Sequence, residues 1–217
     1  MPDEASRTAV LVCQGRAVAH GRLAVGRFDD PTAMGLLRED ERRPVEQVRS
    51  GVAPNAWRDR IEYEMLRANA EVMVPRTVGI DDAVSERPTA QVVILGAGLD
   101  GRAWRMPGLS AVEVARVLSG RSAPGSRLVV NYQAPALSAT AGRRLAGVLA
   151  ALAGRADPVA NERQRSSWTP AAMSALLAGQ SFVVVRDDDL LTIAERLRIP
   201  VRNRRSLRVG HIAVADR

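Results

Sequence analysis

The sequence predicts an α/β fold, with helices alternating around a mainly parallel sheet and an N-terminal helical segment in front of it. Three observations carry this. The stretch Gln91 to Arg102, QVVILGAGLDGR, holds an unbroken apolar run from Val92 to Leu95, followed at once by Gly96, Gly98 and Gly101. A run apolar on both faces suits a buried central strand. Three further runs read as strands: Leu128–Tyr132, Phe182–Val185 and Val209–Ala215. Between and before them, apolar residues recur at helical spacing, as at Ile61, Met65, Ala68 and Val72, and at Leu145, Val148, Leu149 and Leu152.

Ser6 to about Leu23 reads as a helix of mixed pattern, broken by Gly15 and Gly21. Asp30-Pro31 is a helix start, since Asp caps free N–H groups and Pro fits the first turn. That helix would run through Leu36 and Leu37 to Glu39, and Arg38 to Arg43, closed by Pro44, would be a connection. Trp57 to Val74 is the best early helix, and Pro75 is expected to end it. After the glycine turn, Leu99 to Met106 makes a short helix stopped by Pro107-Gly108. Ala111 to Val114 starts a second strand that does not finish, and Ala123-Pro124-Gly125 makes a turn. Thr169-Pro170 starts a helix that Gly179 ends. Asp188 to Arg198 is the last helix, with Pro200 just beyond.

Composition narrows the function classes. At 217 residues, 46% hydrophobic and 25% charged, the chain has the composition of one soluble domain with ample core. The longest weakly interrupted apolar stretch, Leu145 to Gly154, is far too short to span a bilayer. Asp3 and Glu4 stand where a secretion signal wants positive charge, so the expected compartment is the cytoplasm. The single cysteine, Cys13, excludes an intramolecular disulfide or a cysteine-rich zinc site. The net charge is +7, and all 31 basic residues are arginine. The one cluster, Arg202, Arg204, Arg205 and Arg208, has no interleaved aromatics to stack bases, so it reads as a solvated loop and no nucleic-acid partner is expected.

Gly-x-Gly after a buried strand lets the backbone turn sharply and lets a ligand approach without a Cβ in the way. The next residues can start a helix whose free N–H groups face that ligand. The same turn can also serve close packing alone. His20 and His211 lie in no metal-spacing motif. His211 alternates with Val209 and Ala213, as a hydrogen-bonded structural histidine would. Asp187, Asp188 and Asp189 precede a helix and read as caps. Asn131 and Tyr132 end a strand at the edge where open α/β sheets hold ligands; they line either a substrate space or a satisfied sheet end. No G-x-S-x-G turn and no Ser-His-Asp set is present, and no catalytic residue or metal site is assigned.

Four segments together resemble a known family. They are Phe28 to Ala33 (FDDPTA), Val74 to Thr77 with Ile80 to Asp82 (VPRT, IDD), Val93 to Arg102 (VILGAGLDGR) and Ser122 to Tyr132 (SAPGSRLVVNY). The tail from Val185-Arg-Asp-Asp to Ala215 also fits. The chain is similar to class I S-adenosylmethionine-dependent methyltransferases related to leucine carboxyl methyltransferases, in their bacterial subgroup. The resemblance implies a Rossmann-like methyltransferase sheet and S-adenosyl-L-methionine as cofactor. It implies that Gly96, Ala97 and Gly98 pass under the methionine and ribose, and that Arg76 holds the cofactor carboxylate. Guanidinium and carboxylate can pair bidentately. The expected reaction is O-methyl transfer to a small molecule or carboxylate.

The chain departs from the pattern after its second strand. Such folds place an acid about 20 residues past the glycine turn to hold the ribose hydroxyls. Arg116, Val117 and Leu118 stand there instead, and Glu113 lies too early. The chain reads as jumping near Val114 from mid-strand into a late helix, an internal deletion of roughly 70–90 residues at about 30 per βαβ unit. The expectation is therefore one domain, with a helical part at 1–88 and a truncated Rossmann-like part of about four strands at 89–217. Activity is doubtful because the ribose- and adenine-binding segment is missing, and a non-catalytic remnant acting as scaffold or binding protein is the alternative. An exposed sheet edge would favour a homo-oligomer.

Overall fold

The computed structural model describes residues 6–87, 92, 94, 98–106, 124–135 and 167–217. Helix α1 (Arg7–Ala19) is capped by the Ser6 hydroxyl, which accepts from the Ala9 N–H at 3.1 Å. At its other end the Arg49 guanidinium donates to the carbonyls of Ala17 and His20, both at 2.8 Å. A cation there satisfies the orphan carbonyls and opposes the negative end of the helix dipole. Gly15 does not break this helix. It is the contact point with α3, where an added Cβ would sit 2.8 Å from Met73 Cγ.

Two proline readings are corrected. Residues 31–36 form turns rather than a helix, and the helix begins later, as α2 (Glu39–Ser50), with Pro44 inside it. The supposed connection is thus helical: the Arg38 N–H donates to Glu41 at 2.8 Å in a capping box, and Val45 and Val48 are buried. Helix α3 (Trp57–Ser85) passes straight through Pro75, so the segment RTVGIDD lies inside it. Proline removes one i→i−4 hydrogen bond and disfavours the preceding helical turn. Here that loss is offset by burial on both sides, since Met73, Val74, Pro75, Thr77, Val78 and Gly79 are all buried.

Helix α4 (Arg102–Arg105) follows the glycine turn. Strand β1 (Arg127–Gln133), helix α5 (Pro170–Ala178), strand β2 (Val183–Asp189), helices α6 (Leu190–Arg196) and α7 (Arg204–Leu207) and strand β3 (Gly210–Asp216) complete the described chain. Thr169 caps α5, with Pro170 in its first turn and Gly179 after its end, as the sequence implies. Strand β2 runs four residues further than the sequence suggests and is bulged between Val184 and Arg186.

The mainly parallel sheet is also corrected. The described sheet has the order β1-β3-β2, and β3 is antiparallel to both neighbours. Asp189, the last residue of β2, lies opposite His211, at the start of β3. Between them residues 190–209, with α6 and α7, bring the chain back beside the end of β2, and β3 returns antiparallel. The fourth expected strand, Gln91–Leu95, falls mostly outside the described residues; Val92 and Ile94 are described and are not in a strand. The break near Val114 also lies outside them.

The sheet sits between two helical layers. One face packs on α3 and α6, where Ile212 and Ile193 lie against Gly79 at 2.7 and 2.8 Å from where its Cβ would be. The other face holds Tyr132, Ala213 and Ala215 under Met173 and Leu177 of α5. The larger core lies between α1, α2 and α3 and extends to α6.

Candidate functional site

Four arginines and three aspartates meet where α1, α3 and the glycine turn converge. Arg16 of α1 donates to Asp30 at 2.9 Å and to the Leu99 carbonyl. Both side chains of that pair are almost wholly buried. Asp30 also accepts from the Thr32 hydroxyl at 2.8 Å and the Ala33 N–H at 3.1 Å. The Asp30 that reads as a helix cap is therefore an anchor for the turn. Asp81, on α3, takes Arg105 through two bonds of 2.6 and 2.9 Å and Arg102 through one of 2.7 Å. Asp100 pairs with Arg102 and accepts its N–H at 2.8 Å. Burial alone would lower the Arg105 pKa; bonds to Asp81 and the charges of Asp81, Asp30 and Asp100 outweigh it and raise it.

Arg76 is the fourth cation, and it differs. It lies on α3, one turn before Asp81. Among the described residues its polar contact is the Met73 sulfur, 3.8 Å from Nη1, and its buried Nε has no partner. Burial pulls its pKa down, and repulsion from Arg102 and Arg16 adds to this, against partial relief from Asp100. A buried cation with like-charged neighbours and no carboxylate bonded to it has chemistry that suits an anionic ligand.

The glycine turn is partly described. Gly98 is exposed with a φ of +55°, a conformation that favours glycine. Gly101 is a packing glycine: an added Cβ would collide with the Thr32 hydroxyl. Gly96 and Ala97 lie outside the described residues. Arg76 and the Leu99–Asp100 backbone are thus brought into one charge cluster, and the sequence reading missed the ion-paired anchors Arg16, Asp30, Asp81, Arg102 and Arg105. The signal available was a dense run of charge in segments otherwise patterned as core.

At the far end of β1 the three successive aspartates have three different tasks. Asp189 caps α6, accepting from the Thr192 N–H at 2.6 Å. Asp188 pairs with Arg196 at 2.7 Å. Asp187 is no cap: it accepts from the Tyr132 hydroxyl and meets His211 Nδ1 at 3.0 Å. Tyr132 and His211 stack, with ring centroids 5.1 Å apart. Burial, reinforced by Asp187, pushes the Tyr132 phenol well above its ordinary pKa. Asn131 is exposed and donates to the His211 carbonyl at 3.0 Å. The arginine cluster near the C-terminus is exposed; within it Arg202 pairs with Glu64 at 2.9 Å and Arg204 with Glu195. Among the described residues no group of three or more His, Cys, Asp or Glu could hold a metal ion, and no helix is long and apolar enough to cross a membrane.

The described fold mixes helices and strands, and a buried arginine with no carboxylate partner among the described residues lies near a glycine turn. The sequence comparisons assign the chain to a family. The leucine carboxyl methyltransferase family matches residues 9–117, half of the chain, and the chain belongs to that family. Putative S-adenosyl-L-methionine-dependent methyltransferases from Mycobacterium sp. strains JLS, KMS and MCS are each 37% identical over 103 residues. The match covers 46% of this chain and about a third of those relatives, 34% of their length. No solved structure matches.

Proposed function

We propose that this chain binds S-adenosyl-L-methionine through its methionine end and serves O-methyl transfer to a small molecule or carboxylate. The observation that carries the reading is Arg76, whose buried guanidinium has no carboxylate partner among the described residues. The cofactor's carboxylate is the complement this cation lacks, and Gly98 lets the ligand approach without a Cβ. Arg16, Arg102 and Arg105 are already matched to Asp30, Asp100 and Asp81, so they keep Arg76 in place rather than compete for the ligand. The bound cofactor would supply an electrophilic methyl group, and the chain's part is to align it and exclude water.

A second reading is favoured by the sequence after the glycine turn. No acid stands at residues 116–118 to hold a ribose, and the family match ends at residue 117, close to Val114 where the break is read. On this reading the chain is a non-catalytic remnant, with a helical part at 1–88 and a truncated Rossmann-like part at 89–217. Association through the edge strand β2, where Val183 and Val185 are exposed, belongs to both readings. Calorimetric titration with S-adenosylmethionine and its demethylated product tests the proposal. With the ribose contacts missing, the expected dissociation constant is no better than about 0.1 mM. Absence of any binding heat at millimolar ligand would remove the cofactor assignment and leave the remnant.

A further inference from the structure

The Leu99 carbonyl, one residue past Gly98, is held by a side chain 83 residues away in sequence. That side chain is Arg16 of α1, whose Nη1 donates to Asp30 at 2.9 Å while its Nη2 donates to the Leu99 carbonyl. Both nitrogens belong to one planar fork, so carboxylate and carbonyl are fixed relative to each other. Asp30 accepts at its other oxygen from the Thr32 hydroxyl at 2.8 Å and the Ala33 N–H at 3.1 Å. Thr32 in turn lies against Gly101, where an added Cβ would collide with its hydroxyl. The turn is thus gripped at Leu99 and at Gly101 by two side chains that share one carboxylate. Among the described residues no other hydrogen bond ties the backbone of residues 98–101 to α1 or α3.

This network stands beside Arg76. Gly15, next to Arg16 in α1, packs on Met73, whose sulfur is 3.8 Å from Nη1 of Arg76. Arg16 and Asp100 both act electrostatically on Arg76, the first against its charge and the second in favour of it. The fork, the turn and Arg76 therefore lie within one another's reach. Arg16 is not itself open to a ligand: Asp30 matches its charge, and its side chain is only 5% exposed. Its Nε, however, is buried without a partner among the described residues. A buried donor left unmatched costs stability and calls for a reason. The reason here is geometric, since the guanidinium is oriented for the two groups that it joins.

We propose that Arg16 is a positioning residue for the anion site: by holding the Leu99 carbonyl toward α1 it fixes the Leu99–Asp100 peptide, and with it the place of Gly98 relative to Arg76. This rests on the cofactor reading above. A peptide unit is planar and trans, so a carbonyl directed at Arg16 sends the Asp100 N–H the opposite way. Flipping that peptide would break the bond to Arg16 and reverse the local dipole beside a site meant for an anion. Backbone N–H groups attract an anion, whereas carbonyl oxygens repel it. Without the fork the turn is free to sample both orientations, and a site that must order its own turn on binding loses affinity. Arg16 touches no ligand on this account and acts through the turn.

Two variants and one measurement on the unaltered protein test this. Arg16→Lys keeps a cation for Asp30, but a single ammonium cannot span Asp30 and the Leu99 carbonyl as the fork does. Its affinity for S-adenosylhomocysteine, read by NMR titration, should fall at least fivefold, and the amide signals of Gly98, Leu99 and Asp100 should broaden or double. Gly210→Ala serves as the stability control, because its added methyl group meets Leu190 at the start of β3, away from the turn. It should lower the melting temperature and keep the affinity within twofold. In the unaltered protein the Nη protons of Arg16 should be protected from exchange and should shift when S-adenosylhomocysteine saturates the site, a reading that stands even where Arg16→Lys fails to fold. Unchanged affinity in Arg16→Lys, Arg16 signals indifferent to a ligand that calorimetry shows to be bound, or an equal loss of affinity in Gly210→Ala overturns the proposal and leaves the cofactor reading standing. Absence of ligand binding to the unaltered protein by calorimetry overturns the cofactor reading, and the positioning role falls with it.

Discussion

Two ion networks in this chain use the same chemistry in opposite surroundings. Beneath the glycine turn, Arg16 and Asp30 pair with side chains 5% and 0% exposed. Just past the carboxyl end of α3, Arg127 grips Asp216 through bonds of 2.8 and 3.0 Å and Glu86 through one of 2.7 Å, while Arg186 holds Glu86 from β2. Glu86 is 38% exposed and Asp216 25%. The first network is sealed, so removing a partner strands a charge; the second is wet, so water replaces what is lost. The buried network therefore shapes a site, whereas the surface one tethers the end of a long helix to the sheet.

Four experiments test this contrast. The largest effect should come from Asp30→Ala, which leaves Arg16 buried without its carboxylate and frees Thr32. We expect a loss of about 3–5 kcal/mol in chemical denaturation, enough to leave a marginal domain partly unfolded. A loss under about 1 kcal/mol would show that this network is as solvated as the surface one.

Arg76→Ala should separate site from scaffold. Removing a buried cation that bonds no carboxylate among the described residues should leave stability unchanged or slightly raised. The affinity for S-adenosylmethionine should fall by more than tenfold, since a charge-assisted pair contributes about 1.5–3 kcal/mol. Unchanged affinity in calorimetry would remove Arg76 from the site.

Gly101→Ala probes the packing between the glycine turn and Thr32. The added methyl group must push aside a hydroxyl that is hydrogen-bonded to Asp30, and overpacking of this kind costs about 1–3 kcal/mol. An unaltered melting curve would mean that the turn lies further from residues 30–33 than the structure places it.

The smallest effect belongs to the surface network and shows best against pH. Hydrogen bonds from Arg186 and then Arg127 hold the Glu86 carboxyl below its ordinary range, and one from Arg127 does the same for Asp216. A depressed folded pKa gives stability that is present above the unfolded value and lost as pH falls through the folded one. The melting temperature should therefore drop as pH falls from about 5 through the carboxylate range near 4 and below. Arg127→Ala should cost about 1 kcal/mol or less at neutral pH and flatten part of that slope. A mutant slope equal to the native one would assign the acid sensitivity to other carboxylates.

Local chemistry is legible in the chain itself. The caps at Ser6 and Thr169, the strand runs around Val129, Val184 and Ala213, and the family signature around Arg76 and Gly98 depend on residues adjacent in sequence, where propensity and periodicity act directly. The prolines mislead because a proline's local penalty is of the order of 3 kcal/mol, which burial on both sides of Pro75 can offset. Sheet direction is not legible either: whether β3 returns antiparallel depends on the path of residues 190–209 as they pack on the rest of the fold, not on any residue type. The same holds for both charge clusters. Asp30 and Asp187 look like caps because each precedes a helix-like stretch, and it takes the folded chain to bring Arg16 to the one and His211 to the other. The family and most of the elements could be read from residue order, since they rest on short-range patterns. Which charges are paired could not, because pairing across 14 residues for Arg16 with Asp30 and 24 for Asp187 with His211 exists only once the packed layers bring those atoms within hydrogen-bond reach.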